Sequence, residues 1–168
     1  MNIQPDAIAA FWSSYLESIG RAPDDEGRQP KDVGRPPGAW SFGDSPDMAE
    51  DLGRLVADGI KTATCSLLWE FEAEGAAPPE EGDLSIILDG VGRPLCLIET
   101  TEVRLRAYDE VNAQFAYDEG EGDRSLAYWR DAHWRYFGRI CQALGHSPSH
   151  NMLLVCERFR VVYRNRPK

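Results

Sequence analysis

Apolar residues recur at helical spacing in some parts of the chain and alternate with polar residues in others. The helical spacing, with an apolar face, continues in each case up to a glycine. A serine, a first-turn proline and an aspartate also mark the start of the second of these stretches. The pattern predicts three main helices: Ala7–Ile19, Ser45–Val56 and Ser125–Leu144.

Shorter apolar or alternating stretches predict strands. Two of them flank the glycine-containing turn Asp89–Arg93, which predicts a hairpin. In addition to the three main helices, Val111–Tyr117 is predicted to form a short helix. The total is about five strands and three or four helices, an α+β pattern without an internal repeat. Four of these strands have defined bounds, namely Cys65–Phe71, Leu84–Leu88, Leu95–Thr101 and Met152–Tyr163, with Val103 and Leu105 continuing the third.

Length and charge narrow the functional classes. The 168 residues suit one domain, which we place at residues 40–168, after an extension at 1–39 with a helix and a Pro- and Gly-rich loop from Arg21 to Gly38. The net charge of −10 repels polyanions. No apolar run approaches the roughly 20 residues of a membrane span, and the N-terminus lacks the basic start of a signal peptide. We therefore expect a cytoplasmic protein without a membrane partner.

The stretch Gly59–Ser66 carries the most suggestive chemistry. It places Lys61, Thr62 and Thr64 between a helix stop and an apolar run. A threonine hydroxyl is a poor nucleophile until a base takes its proton, and a desolvated lysine with a lowered pKa can be that base. The three-residue spacing brings Lys61 and Thr64 together only if the chain bends between them. The alternative is a solvated surface lysine beside ordinary strand threonines.

Other candidate groups have simpler alternatives. Four acids within Asp118–Asp123 suggest a cation site, but the spacing fits no calcium loop. His133 lies on an apolar helix face, as a core histidine would. The four cysteines stand singly, so we expect reduced core thiols, and we expect neither a metal nor a cofactor. Trp40 and Phe42 either stack on a planar ligand or are buried anchors.

Three blocks of sequence resemble the ASCH domain family, in the family's order. They are Trp40–Asp44, then Leu55–Thr64 with Gly-Ile-Lys-Thr-Ala-Thr, then Phe115–His133 with Glu-Gly-Glu-Gly-Asp and Trp-Arg-x-x-His. The resemblance covers about Trp40 to Tyr163. It implies an α+β, PUA-like fold: a small β-barrel of about five or six strands flanked by helices, here with a helical N-terminal extension.

The resemblance also implies activity. Some ASCH proteins remove acyl groups from the exocyclic amine of acylated cytidines with a Lys-x-x-Thr pair and a glutamate, and others are reported as ribonucleases. It implies Lys61, Thr64 and Glu119 as catalytic residues, with Glu121 as the alternative to Glu119. The net charge favours a small nucleoside substrate over single-stranded RNA. The implied substrate-binding residues are Trp40, Ser41, Phe42, Thr62, Glu121, Ser125 and Arg130.

We therefore interpret the chain as an acylcytidine-type amidohydrolase. In this interpretation Lys61 deprotonates Thr64, and a glutamate serves as general acid and base. The same resemblance leaves two alternatives open. One is a metal-dependent ribonuclease acting on single-stranded RNA, and the other is a non-catalytic module that binds RNA or a nucleotide.

Overall fold

The computed structural model describes residues 4–20 and 35–164. It contains five α-helices, five strands and one 3-10 turn at Tyr108–Glu110. The helices are α1 (Pro5–Ser18), α2 (Pro46–Ala57), α3 (Leu68–Glu74), α4 (Ala113–Glu119) and α5 (Leu126–Leu144). The strands are β1 (Gly38–Trp40), β2 (Ala63–Leu67), β3 (Leu84–Leu88), β4 (Pro94–Ala107) and β5 (Leu153–Arg164).

The strands form one sheet in the order β1-β3-β4-β5-β2. Strands β3 and β4 make the predicted antiparallel hairpin, and β1 pairs with β3 in parallel. Strand β2 is an edge strand of this sheet and pairs antiparallel with β5, so that Thr64 stands opposite Glu157 and Cys65 opposite Cys156. Residues that stand opposite each other in this register share a face of the sheet, so Thr64 shares one face with Glu157.

The chain divides into two compact units. One comprises the described residues of Met1–Asp58, Leu84–Glu99 and Val161–Lys168, and its apolar cluster is built from α1, β3 and β4. The other comprises Gly59–Asp83 and Thr100–Arg160, and its cluster joins the inward side chains of β2 to those of α4 and α5. All of the candidate catalytic residues belong to the second unit.

The predicted α+β class, with about five strands, flanking helices and an N-terminal helix, is confirmed. The prediction of a strand over Cys65–Phe71 is wrong beyond Leu67, because α3 begins at Leu68. The Glu70 carboxylate accepts a hydrogen bond from the Leu67 backbone N–H at 2.8 Å, which satisfies a donor at the helix start. Gly75 then ends α3 in the left-handed conformation.

The N-terminal part of the prediction is described only in part. Most of the predicted loop from Arg21 to Gly38 lies outside the described residues, and the division at residue 39 stays a prediction. The short strand β1 was not predicted, since three residues are too few for an alternating pattern to show. Within residues 4–20 and 35–164, no helix is both long and apolar enough to cross a membrane.

Candidate functional site

The C-terminal end of α4 packs closely against the backbone segment that leads into β2. Gly120 ends α4 with a φ of 74°, and a Cβ at this position would lie 2.8 Å from the carbonyl oxygen of Ile60. The Thr62 backbone N–H donates to the carbonyl of Asp118 at 2.8 Å. A residue without a side chain is therefore required here, and this close approach sets Glu119 beside Lys61.

The Lys61 side chain is buried between two carboxylates. Its Nζ lies 2.8 Å from Oε2 of Glu119 and 2.7 Å from Oε1 of Glu121. Lys61 and Glu119 are each 1% exposed, whereas the side chain of Glu121 is 19% exposed. Glu121 is therefore the member of this charged cluster that a small molecule can reach most easily.

The other oxygen of Glu119 is surrounded by donors. Oε1 accepts from the Cys65 thiol at 3.2 Å and from the Trp129 indole N–H at 2.9 Å. Nε2 of His133 lies 3.5 Å from the same oxygen. Both carboxylate oxygens thus contact protein groups. The Glu119 side chain is therefore held in one orientation and is closed to a small molecule from outside.

The pKa shifts follow from this arrangement. Burial acts to lower the pKa of Lys61, but attraction to Glu119 and Glu121 outweighs it and raises that pKa above the usual value. Burial acts to raise the pKa of Glu119, but Lys61 and His133 lower it overall. The lowered lysine pKa expected from the sequence is therefore reversed, and Lys61 is an ammonium group at neutral pH.

Thr64 lies on β2, whereas Lys61 stands two residues before that strand begins. Lys61, Ala63 and Cys65 are buried, whereas Thr62 and Thr64 are half-buried, which is the alternation of an extended chain. Lys61 and Cys65 both contact Glu119, which places them on the side of α4. Among the described contacts no hydrogen bond joins Lys61 to Thr64, and those of the Lys61 Nζ go to Glu119 and Glu121.

Thr62 and Ser125, two predicted substrate-binding residues of the second unit, form hydrogen bonds with backbone groups of that unit. The hydroxyl of Thr62 donates to the Asp118 carbonyl at 3.3 Å. The hydroxyl of Ser125 accepts from the Tyr128 backbone N–H at 3.1 Å and caps α5. Both hydroxyls thus have local structural partners.

Arg130 is exposed and lines a surface cavity of about 370 Å³. The cavity is also lined by Tyr108, Asp109, Asp131, Trp134 and His150. Arg130 therefore lines a cavity whose walls, among the described residues, do not include Lys61, Glu119 or Glu121, although α5 contributes residues to the cavity and to the contacts of Glu119.

Trp40, Ser41 and Phe42 belong to the other unit. Phe42 is 5% exposed and packs edge-on against Trp40, with ring centroids 4.6 Å apart. Phe42 is thus a buried anchor, while Trp40 retains partial exposure.

The acids of Asp118–Asp123 turn to different partners. Asp118 pairs with Arg158, Glu119 and Glu121 share Lys61, and Asp123 accepts from the Ser125 backbone N–H at 2.8 Å. The four carboxylates therefore do not converge on one point where a metal ion could bind. The spacing of the acids in the sequence suggested a cluster that the turns at Gly120 and Gly122 break up.

A different trio has the composition of a metal site. One ligand atom each of Cys65, Glu119 and His133 lies within 4.8 Å of the others, and thiolate, carboxylate and imidazole together suit zinc. The present contacts are those of a hydrogen-bonded group: the Cys65 thiol donates to Glu119 at 3.2 Å, and the Lys61 ammonium already neutralises Glu119. The trio is a hydrogen-bonded network instead.

Sequence reasoning missed the groups that hold Glu119. Apolar surroundings alone predict only a core position for Cys65, Trp129 and His133. His133 does lie in the interior, with a side chain 11% exposed. One available signal was the i, i+4 spacing of Trp129 and His133, which places both on one face of α5. That spacing could not show that the face meets a carboxylate.

The comparisons with known proteins agree with the fold. The ASCH domain family model matches residues 38–163. The structure is similar to that of an ASCH domain from Lactobacillus crispatus JV V101, with 33% identity, 98% of each chain covered and a TM-score of 0.82. It is equally similar to protein EF3133 from Enterococcus faecalis V583, with 34% identity, 96% of this chain and 91% of that chain covered, and a TM-score of 0.82.

No curated protein matches the chain. The family match covers most of the chain, and the structural matches extend over nearly all of it. The PUA-like fold expected from the sequence is confirmed by these neighbours. The chain belongs to the ASCH domain family.

Proposed function

We propose that this protein hydrolyses the amide bond of an acyl group on the exocyclic amine of a cytidine-type nucleoside. The observation that carries the proposal is the buried Lys61 ammonium, held between a closed carboxylate, Glu119, and a partly exposed one, Glu121. A fixed positive charge beside a reachable carboxylate is what hydrolysis of an amide requires: one stabilises the developing oxyanion, and the other moves a proton.

The roles differ from those implied by the sequence resemblance. Glu121 takes a proton from water as the water oxygen bonds to the acyl carbon. Lys61 stabilises the negative charge that forms on the acyl oxygen. When the carbon–nitrogen bond breaks, the proton passes from Glu121 to the departing amine, so atoms and charge balance. Glu119 fixes Lys61 and exchanges no proton, because its pKa is lowered and both of its oxygens are occupied.

Thr64 enters this proposal as the competing nucleophile. The alternation of buried and half-buried residues from Lys61 to Cys65 favours opposite sides of the chain for Lys61 and Thr64, which argues against Lys61 as the base for Thr64. A base on its own face would have to be Glu157, which stands opposite Thr64 and accepts from the Thr100 hydroxyl at 2.6 Å. Attack by Thr64 and attack by water therefore depend on different carboxylates, which substitution can separate.

A small, nearly neutral substrate is favoured by charge. The net charge of −10 opposes a polyanionic strand, and the carboxylate that remains reachable at the site, Glu121, adds to that repulsion. The nucleoside, rather than RNA, is the partner that this electrostatic pattern suits.

We expect the protein to release cytidine from cytidine acetylated on its exocyclic amine, at an equal rate with and without a chelator. The proposed chemistry needs no metal, since Lys61 supplies the positive charge. Product release should be followed chromatographically beside cleavage of a labelled single-stranded RNA. Chelator-sensitive cleavage of the RNA, with no deacylation of the nucleoside, would replace this proposal with the ribonuclease.

A further inference from the structure

His133 completes the set of groups around Glu119. Its ring stacks on Trp129, with centroids 4.3 Å apart and planes inclined by 16°, and its other neighbour is Phe137, 5.5 Å away. Nδ1 lies 3.0 Å from the Trp129 carbonyl oxygen, and Nε2 lies 3.5 Å from Oε1 of Glu119. The imidazole is thus held in one orientation by rings on its faces and oxygens at its nitrogens.

Both ring nitrogens of His133 face oxygen acceptors. A neutral imidazole carries one N–H and can donate to one of them, whereas the imidazolium form donates to both. Burial acts to lower the pKa of His133, but attraction to Glu119, with a smaller contribution from Glu121, raises it against the opposing charge of Lys61. The protonated form is therefore the one that this pocket stabilises.

The charges then balance across the cluster. Lys61 precedes β2, Glu119 ends α4, Glu121 follows it, and His133 lies on α5. The neutral Cys65 thiol is the remaining titratable group at Oε1 of Glu119. Two cations thus face two carboxylates. Loss of the His133 proton would leave Lys61 as the one cation of the cluster and would weaken one of the contacts that orient Oε1 of Glu119.

We propose that His133 is a positioning residue, which as an imidazolium fixes the Glu119 carboxylate and so holds Lys61 in place for the reaction. This inference rests on the proposed function for its effect on rate. His133 does not touch the reacting atoms, because Glu119 stands between it and Lys61. Its contribution belongs to kcat, since a misplaced catalytic group slows the chemical step while substrate binding elsewhere is unaffected.

The test compares the wild type with His133→Gln, which keeps a donor but cannot carry the charge. His150→Gln is the matched control, since His150 packs against Trp134, away from Glu119. We expect His133→Gln to lower kcat about tenfold or more with little change in KM. We also expect it to abolish a fall in wild-type kcat that occurs at alkaline pH as His133 loses its proton. An alkaline fall that persists unchanged in His133→Gln would overturn the proposal.

A second readout does not depend on any activity. The ring signals of His133, assigned by their loss in His133→Gln, should show by NMR that both nitrogens are protonated at pH 7 and that the pKa lies above the ordinary 6.5. A neutral ring at pH 7 would refute the inference even in an active enzyme. Conversely, a charged His133 in a protein that deacylates no nucleoside would show that the proposed function alone had failed.

Discussion

The Glu121→Gln variant should remain folded and lose turnover of the acylated nucleoside by about 10²- to 10⁴-fold, the usual contribution of a general acid–base group. Glutamine keeps the shape and accepts a hydrogen bond from Lys61, but it cannot take a proton from water. The partial exposure of Glu121 makes the structural cost small. The measurement is kcat and KM for deacylation, together with a urea unfolding curve.

Thr64→Ala is the matched control for Glu121→Gln. Thr64 lies only three residues from Lys61 in the sequence, but its side chain is half-buried on β2, whereas Lys61 is buried beside Glu119 and Glu121. If water is the nucleophile, Thr64→Ala should keep most of the wild-type rate. The reverse result, with turnover lost in Thr64→Ala and kept in Glu121→Gln, would move the attack to the face that carries Glu157, and Glu157→Gln would then be the next variant to measure.

The Glu119→Gln variant should be strongly destabilised. Breaking a buried ion pair costs about 3–5 kcal/mol, and Glu119 and Lys61 are each 1% exposed, so that Lys61 would keep only part of its compensation, from the partly exposed Glu121. The free energy of unfolding from urea titration measures the loss. The double variant Lys61→Met/Glu119→Gln should recover much of it, because the uncompensated charge is gone.

An exposed ion pair provides the control for Glu119→Gln. Asp131 and Arg135 are paired on α5 with side chains 69% and 66% exposed, so Asp131→Asn should cost less than about 1 kcal/mol. Equal losses in Glu119→Gln and Asp131→Asn would contradict the account of a buried charged cluster.

Low pH should lower the free energy of unfolding of the wild type through protonation of Glu119. The folded-state pKa of Glu119 lies below its ordinary value of 4.5. Its contribution to stability is therefore complete above that value and is lost as the pH falls toward the folded-state pKa. Glu119→Gln should lack this part of the acid dependence.

The helices and the hairpin could be predicted because their signals are local. The apolar face of α5, its capping serine and its closing glycine all lie within one stretch of chain. The prediction for Leu68–Phe71 was wrong because a strand and a helix look alike in a short apolar run. The deciding contact, from Glu70 to the Leu67 N–H, comes from a residue that hydrophobicity alone would ignore.

The sequence identified residues of the candidate site more successfully than it predicted their chemistry. Lys61 and Glu119 were singled out from sequence, and the structure sets them 2.8 Å apart. The sign of the Lys61 pKa shift was not accessible, because burial and nearby carboxylates act in opposite directions, and their balance depends on residues 58 and 60 positions away in the chain. The face of β2 that Thr64 occupies likewise depends on where the regular strand begins.

The central claim is that the charged Lys61 side chain drives the hydrolysis, and it is tested most directly by the rate of cytidine release in wild type and Lys61→Met. Methionine fills the buried space of the lysine without its charge. With folding verified by urea titration, we expect Lys61→Met to lose at least about a hundredfold in kcat, as removal of an oxyanion-stabilising group does. A folded Lys61→Met protein that releases cytidine at the wild-type rate would contradict the account.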